Sequence, residues 1–246
     1  MAGSSAGSGA AAARTAGVVI PALNEEASVG RVIADLRRVT SGIPEFELKA
    51  VVVADNGSTD RTADAAAQAG ALVCYVPKRG YGRACKAAIR TLSELDQPPD
   101  LIIFMDGDYA DDAADLPQLL KPIYKGADLV IGSRLSGQRS SGSMTIPQIF
   151  GNRLAVFLIR ILYGMRFTDL GPFRIIRRAA LEQLNMQDDT FGWTVEMQIK
   201  AAKLSLTCVE VPVRYRPRIG VSKVSGTVKG TILAGYRILW TVFRYL

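Results

Sequence analysis

Histidine is absent from the 246-residue chain, which removes every mechanism that needs imidazole as base or metal ligand, Ser-His-Asp and Cys-His arrangements included. Cysteine is scarce: Cys74, Cys85 and Cys208 are scattered without metal-type spacing, as expected of a reduced, cytosolic protein with unpaired thiols. Residues 1–16 are Ala, Gly and Ser almost throughout. They lack the apolar centre of a signal peptide and are expected to form a disordered tail. No charge-free apolar run reaches the roughly 20 residues that cross a bilayer. Arg153 and Arg160 interrupt Ile146 to Tyr163, and Lys229, Arg237 and Arg244 interrupt residues 227–246. The first strand is not followed by G-x-G-x-x-G, which argues against a hydride-transferring dinucleotide enzyme.

What is present is a globular composition, 48% apolar and 22% charged, in a chain long enough for one large α/β domain or two small ones. Charge is unevenly spread. Through Ser133 there are 13 basic and 17 acidic residues, and from Arg134 on 17 basic and 6 acidic, so the two parts carry −4 and +11. The second should attract phosphates, anionic lipid headgroups or nucleic acid. Nucleic acid is not the expected partner, because no basic stripe interleaved with aromatics appears.

The stretch LIIFMDGD, Leu101 to Asp108, organises the rest. Its apolar run suits a strand buried on both faces and ends in two carboxylates one residue apart. In open α/β sheets the ligand crevice lies beyond the carboxyl ends of the strands, which would put Asp106 and Asp108 at a ligand, with Gly107 letting the backbone come close. Unless Gly107 kinks the chain, both carboxylates project from one side. Such a pair suits Mg²⁺ or Mn²⁺ shared with a phosphate; the alternative is an Asp-rich turn capping the next helix.

Before this stretch, three strands alternate with helices. Gly17 to Ile20 leads through PALNEE to a helix over Ala27 to Val39. Ala50 to Ala54 leads through DNGSTD to a helix over Arg61 to Ala69, with Ser58 or Thr59 as N-cap. Leu72 to Val76 leads through a Lys-Arg-Gly-Tyr-Gly loop to a further helix. A fifth strand is expected at Ala127 to Gly132, and strands near Phe167 to Ile176 and Leu206 to Arg214 flank a helix from Thr194 to Ala202. The alternation predicts an α/β fold with a mainly parallel sheet flanked by helices. Ile146 to Tyr163 reads as an amphipathic surface helix. Residues 227–246 read as a helix lying in a membrane interface, docking on a partner helix, or closing the core.

PALNEE (21–26), VVVADNGSTDRT (51–62), FMDGD (104–108), TDLGPFR (168–174) and GVSK (220–223) together resemble family-two glycosyltransferases of the GT-A fold. The likeness is strongest to polyprenyl-phosphate hexosyltransferases of the dolichyl-phosphate mannose synthase kind. It implies one GT-A domain over 17–226, with a donor-binding part (17–133) and an acceptor part (134–226). It implies that Pro21, Leu23, Asn24 and Glu25 wall the donor's base and ribose and that Asp55 contacts the base. Lys78 to Arg83, with Gly80, would border the nucleotide, while Asp106 and Asp108 hold ribose and metal. Carboxylates accept from ribose hydroxyls and base N–H groups, which fits those assignments. In the first loop the alternative is that Pro21 simply breaks the strand and Asn24 to Glu26 cap the helix.

By the same resemblance Arg174 and Lys223 face the donor diphosphate and the acceptor phosphate, and Arg134 opens a mobile acceptor loop over 134–145. Asp169 and Glu196 match less closely. Relatives acting on hydroxyl acceptors carry a base near Glu196, whereas an ionised phosphate needs none, and Glu196 also suits the first turn of a helix. One departure stands out: mannose synthases follow the Asp-x-Asp with Leu, a polar residue and Pro-Pro, where this chain has Tyr109-Ala110-Asp111-Asp112. Donor base and sugar therefore stay open. The implied activity is inverting, metal-dependent transfer of a hexose from a nucleotide diphosphate sugar (UDP-glucose or GDP-mannose type) to a polyprenyl phosphate. It would be carried out by a cytoplasmic protein, as a monomer or a homo-oligomer, in peripheral contact with the inner face of the membrane. The alternatives are transfer to a soluble hydroxyl acceptor, or a nucleotide-sugar binder without chemistry.

Overall fold

The structure, a computed structural model, describes residues 15–220 and 228–246. A seven-stranded sheet runs in the order β3-β2-β1-β4-β6-β5-β7. Its strands are β1 (Thr15–Ala22), β2 (Glu47–Asp55), β3 (Leu72–Tyr75), β4 (Leu101–Phe104), β5 (Leu129–Ser133), β6 (Arg174–Arg177) and β7 (Cys208–Pro212). Only β6 runs antiparallel, against β4 and β5, so the sheet is mainly parallel with helices on both faces, as the alternation predicts. Thr15 and Ala16 already belong to β1 and pair with Glu47 and Leu48. They correct the expected tail boundary; residues 1–14 lie outside the described part.

The period of two sorts the strand residues onto the two faces. Val18, Ile20, Val51, Val53, Leu101, Ile103 and Met105 pack into one core with α1 (Val29–Ser41), α2 (Thr62–Gln68) and α4 (Leu116–Tyr124). Val19, Val52, Ala54, Ile102 and Phe104 face the other, built with α3 (Tyr81–Ser93), α5 (Ile146–Tyr163), α6 (Arg178–Leu184), α7 (Trp193–Lys203) and α8 (Val228–Arg244). Burial on both faces explains why β4 and β5 read as unbroken apolar runs.

The expected N-cap of α2 is not used: Arg61 holds that position without a side-chain bond. Ser58 and Thr59 bind Asn24 instead, because the first two loops are stitched together. Helix α5 is well specified, with a Thr145–Gln148 capping box and a left-handed Gly164 at φ 72° ending it. By length and composition alone α5 could cross a membrane. In the fold it packs against α7 and α8 and buries Asn152, Ala155, Val156 and Ile159.

Candidate active site

β1 is flanked by β2 on one side and β4 on the other, so the chain reverses its winding there and a crevice opens beyond the strand ends. Met105 N–H donates to the Val19 carbonyl at 3.2 Å. By the alternation of the strand Pro21 faces the same neighbour two residues on, and it has no N–H to make the next rung. β4 ends at Phe104 and the two strands part. The resulting cavity, about 350 Å³, is lined by Pro21, Ala22, Leu23, Glu25, Asn56, Arg79, Gly80, Tyr81, Asp106, Gly107, Asp108, Phe191 and Arg218.

Asp106 and Asp108 therefore face one cavity, on the two sides of Gly107. Burial, reinforced by the charge of Asp108, pushes the Asp106 carboxyl up to about 6, and Tyr81 OH donates to it at 3.0 Å. Asp108 is buried; it accepts from Ala110 N–H at 3.0 Å and pairs with Arg218 at 2.9 Å. Behind this pair sits Asp111, 1% exposed. Neither of its oxygens reaches a donor at bonding geometry. Burial and the charges of Asp106 and Asp108 push it well above the carboxylate range, partly offset by Arg134 and by the Asp106 main chain. Asp106 and Asp108, backed by Asp111, thus put an excess of acid at one end of the cavity, where Arg218 pairs with Asp108 and Arg134 offsets part of the charge felt by Asp106 and Asp111. This excess of hard oxygen donors fits a divalent cation. Among the described residues no group of three or more acids, cysteines or histidines is arranged to hold one alone, so such an ion would share its shell with a diphosphate.

The rest of the cavity wall is held from behind. Asn56, which directly follows Asp55 but is not among the expected site residues, donates to the Val76 and Lys78 carbonyls and accepts from Gly80 N–H at 2.7 Å. It fixes the Lys-Arg-Gly-Tyr-Gly loop. Gly80 has φ 154°, and a Cβ there or on Gly82 would run into the carbonyls of Asp189 and Asp188. Only glycine lets the 185–192 segment lie this close. At Gly107, by contrast, a Cβ would make ordinary contacts of 3.4 Å or more with Ile20, Ala22 and Glu25.

Several expected site residues lie elsewhere. Asn24, at φ 55°, bonds Ser58 and Thr59, and Asp55 accepts from Ser58 N–H at 3.0 Å; both brace loops and neither lines the cavity. Lys78 points to solvent and Arg79 takes its place at the wall. Arg83 pairs with Asp189 at 2.6 Å. Arg174, expected at the diphosphate, is 1% exposed. Its guanidinium donates to the carbonyls of Leu170, Gly171 and Thr194, and burial pushes it down to about 10. It is a strut of the TDLGPFR loop, and the cation beside Asp108 is Arg218, two residues before Gly220.

Arg134 and Asp169 face one another. The side chain and N–H of Arg134 donate to Asp169 at 2.7–2.8 Å. Burial is outweighed by Arg134, which holds Asp169 below the usual carboxylate range. The loop that Arg134 opens is tied at Ser140 N–H to the Tyr215 carbonyl, with Tyr215 N–H returned to Gln138. Glu196 is fully buried in the first turn of α7, as one of the two readings of it has it, and does not line the cavity. Lys223 lies outside the described residues.

The profile described as Glycosyl transferase family 2 matches residues 17–184. The chain belongs to this family. An uncharacterized glycosyltransferase of Mycobacterium tuberculosis is 37% identical over 220 residues, covering 88% of this chain and 93% of its own length. A dolichyl-phosphate hexose transferase of Haloferax volcanii is 32% identical over 88% of this chain and 89% of its own, and an undecaprenyl-phosphate mannosyltransferase of Micrococcus luteus is 30% identical over 86% and 88%. Among solved structures, glucosyl-3-phosphoglycerate synthase of M. tuberculosis in complex with phosphoglyceric acid superposes with TM-score 0.72 at 23% identity, over 94% of this chain and 80% of that one. The family 2 glycosyltransferase described here thus has the GT-A fold, and its cavity lies where the sheet changes winding direction.

Proposed function

We propose that this glycosyltransferase moves a hexose, with inversion, from a nucleotide diphosphate sugar to a polyprenyl phosphate at the cytosolic face of a membrane, with Mg²⁺ or Mn²⁺ held by Asp106 and Asp108. The observation that carries the reading is the Asp106–Asp108 pair in a cavity whose acids outnumber its cations, so that they call for a divalent ion and the diphosphate it brings. A divalent ion supplies neutralisation of the charge that develops on the leaving nucleoside diphosphate. Arg218 turns between Asp108 and that phosphate charge, Tyr81 orients Asp106, and Leu23, Glu25 and Phe191 enclose the donor. Lys223 remains the proposed contact to the acceptor phosphate.

A lipid acceptor is supported by the names of the Haloferax and Micrococcus relatives and by the outer surface of α5 and α8. On α5 the residues Ile146, Phe150, Arg153, Phe157, Arg160 and Ile161 are exposed, at spacings that put them on one face, opposite the buried stripe. Leu233, Tyr236, Trp240 and Phe243 form a second exposed stripe on α8, beside the exposed Arg237 and Arg244. The two helices pack together. Apolar and aromatic residues with interspersed arginines suit the interface of an anionic bilayer.

A soluble acceptor is the second reading, favoured by the fold neighbour crystallised with Mn²⁺, UDP and glucosyl-3-phosphoglycerate. The burial of Glu196 away from the cavity weighs against a hydroxyl acceptor that needs a base there. The test is nucleoside diphosphate release by purified protein with Mn²⁺ or Mg²⁺, over UDP- and GDP-hexoses, with and without a short polyprenyl phosphate. Lipid-dependent release is expected. Donor binding without it would favour the soluble acceptor or a binder without chemistry.

A further inference from the structure

Between α6 and α7 the chain runs as a strap, residues 185–192, across the start of α3. Arg83 N–H donates to the Asp189 carbonyl at 3.1 Å and Gly82 N–H to that of Thr190 at 3.2 Å. The Asp189 carboxylate takes Arg83 and Lys86 at 2.6 and 2.5 Å. The strap delivers Phe191, 37% exposed, to the wall of the cavity. On its other side lies α8: a Cβ on Gly192 would run into Thr241.

One carboxylate holds this arrangement. Glu196 is fully buried and accepts from Gln187 N–H at 2.7 Å, Asp188 N–H at 2.6 Å, Tyr245 OH at 2.6 Å and Lys200 Nζ at 2.7 Å. Three of these donors converge on Oε1 and the Asp188 amide holds Oε2, so the carboxylate, with about four lone-pair sites, is largely committed to the frame. Two of its donors are strap amides, and a third lies just beyond α8.

We propose that Glu196 is a positioning residue that fixes the 185–192 strap as a wall of the donor cavity and ties that wall, through Tyr245, to the C-terminal helix. This rests on reading the cavity as the nucleotide-sugar site. A displacement at the end of α8 is then felt at Phe191, although no described side chain of α8 lines the cavity.

The test uses the full chain with Glu196→Gln and Tyr245→Phe, the second losing one hydroxyl and keeping its ring in place. Amide hydrogen exchange is measured without ligand, and binding of UDP and of GDP with Mn²⁺ by calorimetry. Both variants should exchange faster at the strap amides and at Gly82 and Arg83. The nucleotide Kd should rise roughly three- to tenfold, the scale of a coupling through one network. In the double variant the two effects should be non-additive. Faster exchange confined to α8 and α7 in Tyr245→Phe would overturn the proposal. So would loss of turnover in Glu196→Gln with exchange and Kd unchanged, which would make Glu196 a base after all. If the native chain binds neither nucleotide, the donor reading falls, and the exchange result still decides the role of Glu196.

Discussion

Carboxylates do opposite work in the two parts of the chain. At the end of β4, Asp106, Asp108 and Asp111 outnumber the guanidiniums of Arg218 and Arg134 that act on them, and two of the three carboxyls are pushed upward by burial and by neighbouring carboxylates. Past Ser133, Asp169 and Glu196 are at least as deeply buried and yet held below the ordinary carboxylate range, because hydrogen bonds and cations more than offset burial. Burial alone therefore does not mark a reactive acid. An acid left short of donors waits for a partner from outside, whereas one that is fully supplied belongs to the frame.

The sharpest way to break this contrast is Asp106→Asn. We expect kcat/KM to fall at least about 10³-fold, about 4 kcal/mol of lost stabilisation, with a melting temperature no lower than that of the native chain. Chelation of divalent ions should act likewise, and retained turnover in either assay of nucleotide release would remove the pair from the chemistry. Asp169→Asn should do the reverse. It leaves Arg134 buried without its counter-ion, at a cost of about 3 kcal/mol, visible as an earlier denaturant midpoint. A variant that melts normally but has no turnover would move Asp169 into the active site.

Acid titration separates the two classes more gently. Glu196 has its folded value below the ordinary 4.5, so the stability it contributes is fully present above that value and is lost as pH falls through the lowered one. Glu196→Gln should flatten the drop in melting temperature below about pH 4 and leave the curve near neutrality parallel to the native one. The smallest effect is expected at Lys78→Ala. Its exposed side chain should be worth less than about 0.5 kcal/mol in stability, with donor KM within about twofold, whereas Arg79→Ala at the wall should raise KM further. Equal effects would mean that the loop is read one residue out of register.

Much of this arrangement was legible before any coordinates. The alternation of strands with helices predicted the mainly parallel sheet, and the DGD after an apolar run pointed to the cavity, since both follow from chain order alone. Less legible was the direction of long side chains in the second part. The resemblance led Arg174 to be expected at a phosphate and Glu196 to be weighed as a base, but burial turns them inward to carbonyls and amides that the sequence does not mark. Asn56 and Tyr81 were inside motifs already singled out, and their contacts to Gly80 and Asp106 span 24 and 25 residues. Phe191 had no signal at all: only the glycine-permitted approach of its segment to α3 brings it to the cavity.

The opening of the site can be traced to one missing rung. Pro21 withholds the donor that would have zipped β1 to β4 for one more step, so an imino acid in the cavity wall also helps the two strands part at its mouth. Pro21→Ala would restore that donor, and with it the freedom of the two strands to close over the acids. The enzyme keeps its entrance ajar by leaving its sheet one stitch unfinished.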